Sequence, residues 1–120
     1  MYRRLNTPKY YMYRCGCGNY SCTKLEGIIL EEAYEILRVI PNAVLMDVRS
    51  YQEYAEGHLC NSINISVYDL ERCVERIIPD KETAIITYCQ SGIRSEEAVN
   101  VLKMRGYINV YNICGGINNM

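Results

Sequence analysis

Phenylalanine and tryptophan are absent from this 120-residue chain, so its aromatic packing falls to 12 tyrosines, each with a hydroxyl that needs a partner or water. An excess of one charge is missing too, because 13 basic and 14 acidic residues nearly cancel. Without a net positive field to attract a phosphate backbone or an anionic bilayer, neither nucleic acid nor a membrane is an expected partner. No apolar run approaches the roughly 20 residues that span a bilayer. The N-terminal stretch MYRRLNTPKYYMYR has charge but lacks the apolar core of a signal peptide. A cytoplasmic location is the expectation. Histidine occurs once, as His58, which limits the nitrogen ligands open to a metal.

What is present is a composition that is 49% hydrophobic over a length suited to one domain. Seven cysteines stand at 15, 17, 22, 60, 73, 89 and 114. In a reducing compartment they stay mostly thiols, which favours chemistry or metal binding over a disulfide frame. Residues 1–24 are rich in Tyr, Gly, Cys and Arg with neither strand nor helix periodicity, and read as an extension. From residue 25 short apolar runs alternate with helical patterns. Strands are predicted at residues 28–30, 43–46, 63–65, 83–88 and 109–113, and helices at 31–40, 51–55, 67–78 and 95–105. Ser50 can cap the second helix, and Gly57, Pro79 and Gly106 punctuate the pattern. Such alternation predicts an α/β fold over residues 25–120, a parallel sheet with helices on both faces. In that architecture ligands bind beyond the carboxyl ends of the strands.

Directly after the most hydrophobic strand stands Cys89-Gln90-Ser91-Gly92-Ile93-Arg94, followed by a helix. Gly92 can curl this Cys-x-x-Gly-x-Arg loop so that backbone N–H groups of residues 90–94 converge with the positive end of the helix. An anion is favoured at the centre, and the Cys89 thiolate supplies one. Glu96 and Glu97 oppose that effect, while the amides and Arg94 support it. A thiolate so held can attack a sulfane sulfur and keep it as a persulfide, which a second thiol or cyanide then removes.

Several stretches now agree in order and spacing: Asp47-Val48-Arg49, Glu53-Tyr54, Gly57-His58-Leu59, Asn61-Ser62-Ile63-Asn64-Ile65, the Cys89 loop, Gly106-Tyr107 and Gly115-Gly116. Together they resemble the rhodanese family of single-domain sulfurtransferases over residues 25–120. The resemblance implies that Cys89 accepts the sulfur, that Gln90, Ser91, Gly92, Ile93 and Arg94 form the cradle, and that Asp47, Arg49, Glu53 and His58 brace it. It implies no cofactor and no metal. The donor would be thiosulfate or a persulfide, and the acceptor a thiol, cyanide or a protein. Related phosphatases and arsenate reductases have a longer loop, so the cradle here suits one sulfur better than a phosphate.

Three departures qualify the resemblance. Cys60-Asn61 stands where the family has Pro-Gly, Met120 where it has a tryptophan, and Gln90 where it often has Arg or Lys. Loss of that charge should weaken attraction for the thiosulfate dianion and favour a thiol persulfide or a protein donor. Cys15, Cys17 and Cys22 offer three soft ligands, short of a closed four-ligand metal site, and are otherwise incidental thiols or a redox relay. Cys73 and Cys114 read as core residues. An alternative from another class is a sulfur-carrier or persulfide-sensing module that acts only with a protein partner.

Overall fold

A computed structural model describes residues 27–117, so the extension and its three cysteines, and Met120, lie outside the described residues. Within them the elements run β1 (Gly27–Ile28), α1 (Leu30–Val39), β2 (Val44–Asp47), α2 (Tyr51–Glu56), β3 (Ser62–Asn64), α3 (Leu70–Ile77), β4 (Ile85–Tyr88), α4 (Ile93–Met104) and β5 (Val110–Ile113). The five strands form one parallel sheet in the order β1-β5-β4-β2-β3. Every neighbour being parallel, each link must cross back over a face, and the helices are those crossovers. The predicted α/β class with a parallel central sheet is what the chain adopts.

β4 sits at the centre, and all of its residues are buried, as the β-branched run IIT requires of a strand covered on both sides. Alternate side chains feed two cores. One face packs Met46, Ile85, Cys89 and Val110 against Leu70 and Val74 of α3 and Ala98, Val99 and Leu102 of α4. The other packs Leu45, Ile86, Tyr88 and Ile113 against Leu30 and Ala33 of α1. Tyrosine stands in for the missing phenylalanine and tryptophan, as expected. Tyr88 and Tyr107 are fully buried, and each hydroxyl has a partner: Tyr107 donates to the Ile78 carbonyl, and Tyr88 meets the Leu59 N–H at 3.0 Å.

Two helix starts differ from the sequence reading by more than one residue. α3 begins at Leu70 rather than 67, because the Val67 N–H bonds the Val48 carbonyl at 3.0 Å and the Asp69 N–H turns back to Ser66 at 2.8 Å. That ties the chain to the end of β2 before a helix can form. α4 begins at Ile93 rather than 95, since Gly92 at φ 100° swings the chain straight into the helix. Its carbonyl accepts the Glu96 N–H at 3.1 Å, and Arg94 therefore belongs to the first turn.

The register decides where the site lies. Asp47 pairs level with Tyr88 on one side and with Asn64 on the other. Residues 48–49 and 89–90 therefore leave the sheet at one edge, side by side.

Candidate active site

Cys89, the first residue beyond β4, has no exposed surface. Its Sγ accepts the Gly92 N–H at 3.0 Å and the Ser95 N–H at 3.4 Å. Ile93, Arg94 and Ser95 are the first three residues of α4, where N–H groups have no carbonyl of their own helix to meet. The loop thus places the sulfur at the positive end of a 12-residue helix. Backbone amides are fixed donors that cannot turn away, so the cradle is preorganised for negative charge on sulfur.

The first turn is pinned from below. Ser95 Oγ lies between the Gly92 carbonyl, at 3.1 Å, and Asn112 Oδ1 on β5. Thr87 Oγ1 lies 3.2 Å from the Ser95 carbonyl and 3.1 Å from that of Tyr111. Ser95, Thr87 and Asn112 are all buried, and none was singled out from sequence for the site. A polar residue within the last strand and a serine in the helix's first turn were the available signals. From the far side the Gly115-Gly116 turn closes on the loop, with the Ile117 N–H bonded to the Cys89 carbonyl at 3.0 Å. Gly116 has φ 65°, and a Cβ there would stand 2.5 Å from the Cys89 carbonyl oxygen. Only glycine permits that approach.

Of the four residues expected to brace the loop, Asp47, Arg49 and Glu53 take part in two ion pairs, and His58 stands apart from them. Asp47 is fully buried and Arg49 is 4% exposed. The guanidinium meets the carboxylate through Nε at 3.0 Å and Nη2 at 2.8 Å. Arg49 also donates to the Gly57 carbonyl at 2.6 Å and to Gln90 Oε1 at 3.2 Å, and lies 5.9 Å from the centre of the Tyr88 ring. One buried cation thereby ties β2, the end of α2 and the second loop residue together. Asn64 Nδ2 fixes the same corner by donating to the Asp47 and Arg49 carbonyls at 3.0 and 2.9 Å. Burial pushes the Tyr88 hydroxyl up, so that ring stays neutral beneath the pair.

Arg94 turns to Glu53, whose carboxylate it meets at 2.8 and 3.1 Å. That bond and the helix-cap bond from the Ser50 N–H, at 3.0 Å, hold the Glu53 carboxyl down at about 2. Glu53 so closes the capping box of α2 and clamps the loop arginine at once. His58 is placed elsewhere: its ring stacks on Tyr54 at 3.7 Å and its Nδ1 meets the Tyr54 carbonyl at 2.7 Å. Both contacts are with its own turn, so it steadies the link from α2 to β3.

Among the described cysteines, Cys60, Cys73 and Cys89 are free. Cys114 is buried just past β5, the core position expected of it. Among the described residues no group of three or more His, Cys, Asp or Glu is placed to hold a metal. No helix among them is long and apolar enough to cross a membrane.

Comparison with known proteins agrees with this geometry. The rhodanese-like domain family model matches residues 30–120. Among curated relatives, the tRNA uridine(34) hydroxylase of Erwinia tasmaniensis is 40% identical over 81 residues, covering 64% of this chain and 23% of that protein. Its counterpart in Hamiltonella defensa is 36% identical over 92 residues, covering 72% of this chain and 26% of that protein. The chain thus spans about a quarter of the length of these relatives. The human single-domain sulfurtransferase TSTD1 superposes with a TM-score of 0.66 at 27% identity, covering 78% of this chain and 92% of that one. A rhodanese from Escherichia coli, solved with anions, superposes with a TM-score of 0.59 at 28% identity, covering 65% and 91%. By the match of its family model and the order of its fold, this chain belongs to the rhodanese-like domain family.

Proposed function

We propose that residues 25–120 form a sulfurtransferase unit that moves a sulfane sulfur through a persulfide on Cys89. The observation that carries this reading is the Cys89 sulfur, buried and held by the Gly92 and Ser95 N–H groups at a helix N-terminus. Donors so placed stabilise the negative charge that a reacting sulfur carries, which suits a nucleophilic role. The thiolate attacks the outer sulfur of thiosulfate, the S–S bond breaks, and sulfite departs with the electron pair. From a persulfide R–S–SH the same attack releases the thiol R–SH, and Cys89 keeps one sulfur as Cys–S–S⁻. The Ile93 and Arg94 amides, free of helix carbonyls, are positioned to solvate the terminal sulfur. A thiol or cyanide then attacks that sulfur, and Cys89 leaves as thiolate, ready for another cycle.

Asp47, Arg49 and Glu53 act in this scheme by holding Gln90 and Arg94, and with them the curvature of the loop. His58 is assigned no proton transfer. The reaction needs no cofactor, and a reducing compartment such as the cytoplasm suits a thiolate enzyme. Similarity to tRNA uridine(34) hydroxylases extends over about a quarter of those proteins and does not carry their chemistry here. Thiocyanate formation from a sulfane donor and cyanide, followed in wild type and Cys89→Ser, tests the reading. Turnover in wild type that drops at least about a thousandfold in the variant supports it. Equal rates would overturn it, and sulfur passing only to a protein acceptor would favour the carrier module instead.

A further inference from the structure

Three arginines stand at the sheet edge that holds Cys89, and each faces a carboxylate. Arg49 is paired with Asp47 at 2.8 Å, Arg94 with Glu53 at 2.8 Å and Arg72 with Asp69 at 2.5 Å. The loop position next after Cys89 is Gln90, a neutral residue whose Oε1 accepts from Arg49. Glu96 adds a negative charge in the first turn of α4. Among the described residues this edge therefore presents no cation left over for an approaching dianion.

The rim of the same edge is apolar. Ile93, in the cradle itself, is 73% exposed, and Tyr68, on the turn before α3, is 81% exposed. The preceding Val67 N–H bonds the Val48 carbonyl at 3.0 Å, which sets Tyr68 at the same end of the sheet as the cradle. An exposed isoleucine and tyrosine flanking a buried nucleophile offer apolar surface to whatever carries the reacting sulfur.

Resting on the sulfur-transfer reading, we propose that this mouth selects an organic persulfide with an apolar body over the thiosulfate dianion. Charge sets the preference. A persulfide reaches the site uncharged as R–S–SH or with a single negative charge, whereas thiosulfate brings two against an edge already neutralised. The group R lies on Ile93 and Tyr68 while the outer sulfur meets Cys89. In the transfer the Cys89–S bond forms, the donor S–S bond breaks, and R–S⁻ takes up the proton released by Cys–S–SH. No oxidant or reductant is consumed.

The test is the rate of Cys89 persulfidation, read by rapid quenching and intact mass, with benzyl persulfide, methyl persulfide and thiosulfate. The benzyl-to-methyl ratio, divided by that for free cysteine, should be about tenfold in wild type, because one ring gains contact with apolar side chains. It should fall toward unity in a Tyr68→Ser, Ile93→Ser double variant, whose changes are at exposed positions. A ratio unchanged by the double variant overturns the apolar rim. The thiosulfate rate should hold steady or rise with added salt in wild type, and fall with salt in Glu53→Gln, where Arg94 is released. A wild-type rate that falls with salt as steeply as the variant's overturns the charge argument. Failure of every donor to load Cys89 would instead overturn the sulfur-transfer reading beneath the inference.

Discussion

The Glu53 carboxylate clamps the Arg94 guanidinium through two hydrogen bonds, of 2.8 and 3.1 Å, across 41 residues of sequence. Glu53 belongs to the capping box of α2 and Arg94 to the first turn of α4, so one bidentate pair joins the two helices that flank the Cys89 loop. The Glu53 carboxyl accordingly titrates at about 2, against an ordinary 4.5.

That depression has a definite sign. A carboxylate whose folded pKa lies below its unfolded one stabilises the fold above the unfolded value, and the contribution fades as pH falls from 4.5 toward about 2. With both side chains about a third exposed, solvent screening keeps the gain small. Urea unfolding of wild type and Glu53→Gln from pH 7 to 3 should show wild type more stable near neutrality, with the gap narrowing below about pH 4.5. A gap independent of pH would contradict the clamp.

Asp47→Asn leaves the Arg49 guanidinium buried without its counter-charge. We expect a loss of about 3–5 kcal/mol in unfolding free energy, since the penalty of an uncompensated buried charge dominates. The double variant Asp47→Asn, Arg49→Met should recover part of that loss, because both charges are then gone. Chemical denaturation of the two singles and the double measures the coupling. Simple additivity would show that the pair does not act as a unit.

Gly116→Ala places a methyl group 2.5 Å from the Cys89 carbonyl oxygen, on a backbone at φ 65°. The strain and overlap should cost about 2 kcal/mol or more. The loop must also shift, so sulfur-transfer activity should fall beyond the stability loss when assayed well below the melting temperature. Thermal unfolding and activity at one temperature check both. A variant as stable and active as wild type would mean that the turn does not brace the loop.

Much of the architecture was legible in the chain itself. The buried run at β4, the strand-helix alternation and the Cys89-to-Arg94 loop each follow from local pattern, and short-range rules govern all three. The misplaced starts of α3 and α4 have a common cause. In both, backbone bonds or a left-handed glycine close to the sheet decide where the helix begins, and periodicity carries no record of them. Ser95, Thr87, Asn112 and Asn64 escaped for a different reason: each matters through a partner distant in sequence, as Asn64 does by holding the Asp47 and Arg49 carbonyls. His58, expected from the resemblance to brace the site, stacks on Tyr54 four residues earlier in its own turn.

The most direct test is intact-protein mass spectrometry of wild type and Cys89→Ser after brief exposure to benzyl persulfide or thiosulfate and desalting. We expect wild type alone to gain the mass of one sulfur atom and to lose it on addition of cyanide, with the variant unchanged. An unmodified wild type whose Cys89 is shown free by alkylation, or an equal gain in the variant, would contradict a persulfide on Cys89.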